Sequence, residues 1–155
     1  MSNRMGLELD PPRSVGGISI GMPIEAAERV LEQLPGFVPP APGERRNRGF
    51  AHYESGLSIS LDFDHRGVVR AVELFRPERD VQVLFQGISV FEQSADDVIA
   101  GLADRHRTTV EDDGLNITAP DVFIGFWRSV RPVGLDDENG RFFDSVLVAA
   151  PGYGD

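Results

Sequence analysis

The chain of 155 residues contains no cysteine and no lysine. Without cysteine it can form no disulfide, perform no thiol chemistry and build no zinc site of the cysteine type. Its 15 basic residues are all arginine, a bias that a GC-rich genome produces without any functional demand. The N-terminal residues also lack a continuous apolar stretch, since they include Arg4, Glu8, Asp10 and Arg13. No signal peptide or transmembrane span is therefore predicted, and a cytoplasmic location is the expectation.

Basic residues are scarce relative to acidic ones. The formal net charge is −10, and it is uneven: residues 1–77 hold 10 acids and 9 arginines, whereas residues 78–155 hold 15 acids and 6 arginines. Nucleic acids and anionic membranes are bound by basic surfaces, so the composition argues against both as partners. It permits a basic protein partner. The sequence leaves the oligomeric state open.

Motifs for catalysis and metal binding are missing as well. The three histidines, His52, His65 and His106, are far apart in sequence and lack the spacing of metal ligands. There is no Gly-x-Ser-x-Gly nucleophile elbow, and the glycines near residue 17 lack the Lys-Ser/Thr of a phosphate-binding loop. We therefore predict no catalytic residue, no metal and no cofactor, and favour a non-enzymatic protein over an enzyme.

One segment matches a metal-binding spacing. Asp62, Asp64, Gly67 and Glu73 occupy positions one, three, six and twelve of a calcium-binding EF-hand loop. However, Arg66 stands at position five, where an oxygen ligand is required, and the flanking residues alternate as strands do. A β-hairpin whose turn needs a positive φ at Gly67 explains the same residues, and we favour that interpretation.

What the sequence does contain is a pattern that occurs twice. Residues 17–20 (Gly-Ile-Ser-Ile) precede an amphipathic helix predicted over 23–34, and residues 87–90 (Gly-Ile-Ser-Val) precede a helix predicted over 94–105. Three shorter matches follow in the same order, which indicates an internal duplication. They relate 56–60 to 114–118, 75–77 to 130–132, and 80–84 to 144–148.

The predicted fold is α+β, built from two tandem helix-plus-antiparallel-meander repeats whose helices pack on one face of the sheet. The first repeat is expected to cover 17–86 and the second 87–150, together forming one compact domain. Residues 1–16, with their Pro-Pro pair, are predicted to be an N-terminal arm, and residues 151–155 a tail. The proline-rich stretch from 37 to 48 is predicted to be a loop.

The start of the first helix resembles that of a known class of domains. Its residues are Gly21-Met22-Pro23-Ile24-Glu25-Ala26-Ala27, and they are similar to the helix start of small αβ-meander domains. These domains include the outer-membrane assembly lipoprotein BamE and the tandem-repeat β-lactamase inhibitor proteins. The inhibitors have two such units and present a concave, open sheet face to a protein partner. The second unit departs from the motif, with Phe91-Glu92 in place of Gly-Met, and no binding residue is carried over.

The segment Val122 to Trp127 is apolar on both of its faces, whereas a strand with one solvated face should alternate. Either this strand is central and covered on both sides, or Trp127 and Phe123 are partner-binding aromatic anchors on an open sheet face. The second alternative predicts a non-enzymatic protein-binding module, of the inhibitor or immunity type. The competing hypothesis is a small-molecule-binding protein or an unrecognised enzyme, with a pocket between sheet and loops.

Overall fold

The computed structural model describes residues 5–44, 48–130 and 140–151. This part of the chain is mixed α+β, as predicted, with two α-helices and thirteen β-strands in two sheets. The elements are β1 (Met5–Asp10), β2 (Ser14–Val15), β3 (Ile18–Ser19), α1 (Ile24–Gln33), β4 (Phe37–Val38), β5 (Phe50–Tyr53), β6 (Ser58–Phe63), β7 (Val69–Phe75), β8 (Val81–Phe85), β9 (Ile88–Ser89), α2 (Ala95–Ala103), β10 (Thr109–Glu111), β11 (Asn116–Ala119), β12 (Ile124–Trp127) and β13 (Ser145–Ala149).

The larger sheet has eight strands in the order β10-β11-β12-β13-β7-β6-β5-β4. All neighbouring strands in it are antiparallel, and β7 and β13 meet at its centre. The smaller sheet has the order β3-β2-β1-β8-β9. Its pair β1 and β8 is parallel, and its other pairs are antiparallel.

One face of the larger sheet forms the core. Side chains of successive residues in a strand point to opposite faces, so strand register places apolar residues in rows across the sheet. One row is Leu61, Val72, Val148, Ile124 and Ala119, and the next is Ile59, Leu74, Val146, Phe126 and Ile117; all are buried. The buried residues of both helices belong to the same hydrophobic cluster.

Both helices form where the sequence predicts them, with slightly different ends. In α2 the Ser94 hydroxyl accepts a hydrogen bond from the backbone N–H of Asp97 at 3.2 Å, as its cap position predicts. Asp96 and Asp97 lie in the first turn, where the helix dipole favours negative charge. The helix ends at Ala103, two residues before the predicted end.

The segment from Asp62 to Glu73 is confirmed as a hairpin of β6 and β7. A carboxylate oxygen of Asp64 accepts the backbone N–H of Arg66 at 2.8 Å, and Gly67 has a φ of 77°. Hydrogen bonds within four residues therefore define the turn.

Two segments predicted to be irregular are strands instead. Residues 5–10 of the predicted arm form β1, which pairs with β8 and buries Leu7 and Leu9. The leucines alternate there with glycine and acidic residues, which is the signal of a half-buried strand. The predicted loop from 37 to 48 begins with β4, which pairs with β5. Residues 45–47 of that loop and 152–155 of the predicted tail lie outside the described residues.

Two of the sequence matches do not relate corresponding strands. Residues 56–60 lead into β6, the second strand from the sheet centre, whereas 114–118 lead into β11, the third. Residues 80–84 belong to β8 in the smaller sheet, but 144–148 belong to β13 in the larger. The period-two pattern of a half-buried strand is the same in every such strand, so it does not identify one strand among several. Residues 131 and 132, in the remaining match, lie outside the described residues.

Candidate functional site on the open sheet face

The second face of the larger sheet carries small, polar and aromatic side chains. We call it the open face. Strand register places its central residues in two rows: Ser58, Phe75, Ser145, Trp127 and Asn116 in one, and Ser60, Glu73, Leu147, Gly125 and Thr118 in the other. Ser145 is buried even here, in its row between Phe75 and Trp127.

The structure places both predicted anchor residues at the surface. Trp127 is 42% exposed and Phe123 is 36% exposed. Trp127 borders a hollow of about 320 Å³, which we call the Glu73 hollow. Phe123 borders a neighbouring hollow of about 260 Å³. The Glu73 hollow is lined by Glu73, Asn116, Thr118, Gly125, Phe126, Trp127, Ser145 and Leu147.

Gly125 lines both hollows and separates the two aromatic residues along the chain. A Cβ atom at Gly125 would meet Thr118 Cγ2 at 3.6 Å and the Ile117 carbonyl oxygen at 3.9 Å, which are ordinary contacts. The backbone there has no positive φ that would require glycine. The missing side chain therefore opens space on the face rather than relieving a steric conflict.

Phe123 has an unusual backbone conformation. Its φ is 56°, in the left-handed region that residues other than glycine and asparagine seldom adopt. The Phe123 carbonyl oxygen nevertheless accepts a hydrogen bond from the Ala149 N–H at 3.0 Å, immediately before β12 begins. This turn interrupts the alternation of the strand. Val122 packs against the core, whereas Phe123 lines the open face, which explains why the segment is apolar at both positions.

Glu73 is a half-buried carboxylate in the hollow beside Trp127. Nearby acids are paired, since Arg70 lies 3.2 Å from Asp62 and Arg76 lies 3.8 Å from Asp144. No side chain in the described ranges hydrogen-bonds or ion-pairs with the Glu73 carboxylate. The sequence placed Glu73 at position twelve of a calcium-binding spacing, but the favoured interpretation was a hairpin strand, which is where the structure has it.

An aromatic group at the far side of the open face is a feature that sequence reasoning missed. The ring centroids of Phe50 and His52 are 4.7 Å apart, and those of Phe50 and Phe75 are 6.5 Å apart. His52 Nδ1 lies 2.9 Å from the Ser58 hydroxyl oxygen. The alternation of Phe50 and His52 with buried Ala51 and Tyr53 was the available signal.

The three histidines belong to three separate elements. His52 is in β5, exposed His65 is in the β6–β7 turn, and His106 follows α2. The His106 ring stacks on Phe85, and its Nε2 lies 3.0 Å from the Gln86 side-chain oxygen. Within residues 5–44, 48–130 and 140–151, no group of three or more histidines and carboxylates is placed to hold a metal ion.

A larger cavity of about 550 Å³ lies away from the open face, near the ends of β1 and β8. Its lining residues are Met5, Pro35, Gly36, Glu54, Ser55, Arg79, Asp80 and Val81. The Arg79 guanidinium there donates to the Glu54 carbonyl oxygen at 2.7 Å and forms ion pairs with Glu78 and Asp80. The cation in this cavity is therefore already held by the chain itself.

Among the residues that the structure describes, two carboxyl groups have a lowered pKa, and neither lines a hollow on the open face. A backbone hydrogen bond at the start of α1, followed by the positive charge of Arg48, lowers the pKa of Glu25. For Asp64, partial burial raises the pKa, but hydrogen bonds from the Arg66 side chain and from two backbone N–H groups outweigh it. The net pKa of Asp64 is below its usual value. Both groups stabilise local structure.

Comparison with known proteins adds no assignment. No family model matches the chain, and no curated protein or solved structure matches it. Among the residues that the structure describes, neither helix has the length and apolar composition to cross a membrane.

Proposed function

We propose that this protein is a non-enzymatic protein-binding module that docks a partner on its open face. The observation that carries the proposal is the position of Trp127, a 42% exposed tryptophan at the edge of a hollow. Buried aromatic anchors dominate the energetics of protein interfaces, and they dock into or beside pockets. An exposed tryptophan next to a hollow is suited to that role in the bound state.

The backbone of Phe123 supports the same role. A non-glycine residue at positive φ costs on the order of 1–3 kcal/mol, and such strain is concentrated at functional sites. Here the strained residue carries a partly exposed phenyl ring onto the face that also carries Trp127. We infer that both rings contact the partner, with the space above Gly125 receiving a partner side chain between them.

The order of elements supports a duplicated architecture, which we also propose. A two-residue strand, a helix and four strands occur twice, as β3-α1-β4-β5-β6-β7 and as β9-α2-β10-β11-β12-β13. Outward from the sheet centre, β7, β6, β5 and β4 on one side correspond to β13, β12, β11 and β10 on the other. In this proposal the two units share one continuous face, with the helices on its other side. That arrangement is the one implied by the resemblance of residues 21–27 to the tandem-repeat inhibitor proteins, and it favours an inhibitor or immunity-type role.

The alternative, a small-molecule-binding protein or an enzyme, has less support. The hollows on the open face, at about 320 and 260 Å³, are at or below the lower end of the range for ligand pockets. The larger cavity near Arg79 offers a cation whose hydrogen bonds are already made within the chain. Within the described ranges, no hydrogen bond joins a serine or threonine hydroxyl to a carboxylate in these linings.

Affinity capture with matched variants tests the proposal. Immobilised wild-type protein, Trp127→Ala, Gly125→Val and Val38→Ala would be exposed to the source-cell lysate, and bound proteins would be quantified by mass spectrometry. Val38 is the matched control, because it is also 42% exposed and is on the same face, opposite His52, but lies five strands away from Trp127 in the edge strand β4. We expect one protein to be captured by the wild type and by Val38→Ala, and to be lost with the other two variants.

The captured protein would then be purified and its affinity for each variant measured. Equal affinity for the wild type, Trp127→Ala and Gly125→Val would contradict the proposal. Substrate turnover that depends on residues of the Arg79 cavity would favour the alternative instead.

A further inference from the structure

The Glu73 hollow has the chemistry of a site for a cationic side chain. Building on the proposed function, we infer that the partner inserts an arginine side chain into this hollow, between the Glu73 carboxylate and the Trp127 ring. The anchoring group on the partner is then a cation, and a basic partner complements a chain whose net charge is −10.

The state of the Glu73 carboxylate favours a cationic group in the hollow. It is half-buried, lines the hollow, and has no ion-pair or hydrogen-bond partner among the described residues. A carboxylate removed from water without compensation costs free energy, which a hydrogen-bonded cation offsets. Among the described residues, arginines pair with the neighbouring acids Asp62 and Asp144, and none pairs with Glu73.

The position of Trp127 relative to Glu73 favours the same kind of group. Glu73 is on β7 and Trp127 is on β12, with β13 between them. Adjacent strands are about 4.8 Å apart, and the two residues are also offset by two positions along the strands, so their backbones are separated by roughly 12 Å. On β13, Ser145 is directly beside Trp127 and Leu147 is directly beside Glu73, and both line the hollow. A cation placed there would face the tryptophan ring and the carboxylate together, and tryptophan is the best ring for such contacts.

The other polar side chains of the hollow favour arginine over lysine. Asn116, Thr118 and Ser145 add side-chain oxygens to the lining of the hollow. A guanidinium group has five N–H donors in a plane, so it can bond a carboxylate and further acceptors while its flat face stacks on a ring. Arginine is also enriched in protein interfaces, whereas lysine is depleted. The net charge of −10 would favour the approach of such a partner.

The test uses a single-residue probe on the intact protein. Trp127 is the chain's one tryptophan, so its fluorescence and its indole N–H resonance report on this hollow alone. N-acetyl-arginine amide would be titrated at about 0.15 M salt, where long-range charge effects are screened. N-acetyl-citrulline amide, a neutral group of nearly the same shape, would be titrated in parallel. The variants would be Glu73→Gln and, as a matched control, Asp104→Asn, which removes the same charge at the end of α2.

We expect saturable binding of the arginine amide, and binding of the citrulline amide weaker by about ten-fold or more, as the loss of a charge-assisted hydrogen bond predicts. Glu73→Gln should weaken arginine binding by a similar factor, and Asp104→Asn should change it by less than about two-fold. Absence of a saturable response, equal binding of both amides, or an unchanged affinity in Glu73→Gln would overturn the inference. Melting curves would first establish that both variants are folded.

The two proposals fail in distinguishable ways. If Trp127→Ala abolishes partner capture while the amide titrations show no dependence on Glu73, the open face binds a protein by other contacts and only the arginine inference is wrong. If partner affinity is unchanged by the open-face variants, the proposed function fails. In that case the inferred anchor fails with it, whatever the amides show.

Discussion

The Nε atom of Arg128 donates a hydrogen bond to the carbonyl oxygen of Gly114 at 2.9 Å, and the arginine side chain is only 4% exposed. Its Nη1 atom donates to the Gly140 carbonyl oxygen at 3.0 Å, and its guanidinium lies 5.9 Å from the Phe143 ring centroid. One buried cation thus connects the end of β12 to two other segments. Because Trp127 directly precedes Arg128, these bonds also hold the candidate anchor in place.

Replacement of Arg128 should therefore be costly. Arg128→Ala leaves two backbone carbonyl groups without their donor and removes the packing against Phe143. We expect a loss of about 2–4 kcal/mol in the free energy of unfolding, measured by urea denaturation. The control is Arg107→Ala, which removes a surface ion pair with Asp121 and should cost about 1 kcal/mol or less. Equal effects of the two substitutions would show that Arg128 is not a structural cation.

Trp127 and Phe126 are neighbours with opposite roles. Phe126 is buried against Phe143, with ring centroids 5.3 Å apart, whereas Trp127 is 42% exposed. Phe126→Ala should cost about 3–5 kcal/mol. Trp127→Ala should cost about 1–2 kcal/mol, because much of the ring is already in water. A melting temperature for Trp127→Ala as low as that of Phe126→Ala would assign Trp127 to the core and remove the main support for the proposed function.

Gly125 and Gly49 should respond oppositely to alanine. Gly125 is in a strand without positive φ, so Gly125→Ala should raise stability by about 0.5–1 kcal/mol through lower chain entropy. Gly49 has a φ of 77°, and a Cβ there would lie 3.1 Å from the Leu61 carbonyl oxygen. Gly49→Ala should therefore destabilise by about 1 kcal/mol or more. Thermal denaturation of both variants would check this, and a marked loss of stability for Gly125→Ala would contradict our account of the hollow.

Asp64 gives the β6–β7 turn a pH dependence. Its pKa is lower in the folded chain than in the unfolded chain, because the charged form accepts the hydrogen bonds described above. Its contribution to stability is therefore present above the ordinary aspartate pKa of about 3.9 and is lost as the pH falls through the lower folded value. The stability difference between wild type and Asp64→Asn should shrink in acid. A difference that is constant between neutral pH and the acid range would show that the charge of Asp64 is unimportant.

Calcium should not bind to the segment from Asp62 to Glu73. The carboxylates of Asp62 and Asp64 are paired with arginines, and Glu73 lines the hollow on the open face. Isothermal titration calorimetry should show no heat of specific binding at micromolar calcium. Binding at that concentration that disappears in Asp62→Ala would establish an EF-hand-like site in place of the simple hairpin.

Local features of the fold could be predicted because they depend on residues close in sequence. The Ser94 cap and the Asp64–Gly67 turn each involve atoms within four residues, and the helical stripes have a period of similar length. The alternation of β6 is equally local. Such interactions act in the same way wherever the segment lies in the fold, so the sequence alone determined them together with the α+β class.

The pairing of distant segments was decided only by the tertiary structure. Strand β1 pairs with β8, which follows it by more than seventy residues. No pattern within residues 1–16 identifies β8 as the pairing strand. The strands of the two proposed units could not be matched for the same reason. Alternation determines which face each side chain lies on, but not which strands are adjacent in the sheet.

The candidate site combines both kinds of information. The sequence by itself determined that residues 122–127 hold an excess of apolar side chains and that Glu73 belongs to a hairpin strand. Only the tertiary structure decided that Glu73 and Trp127 line the same hollow, because β13 pairs with β7 on one side and with β12 on the other. The exposure of Trp127 and the hollow beside Glu73 follow from strand register across three strands, which is a property of the assembled sheet and of no single segment.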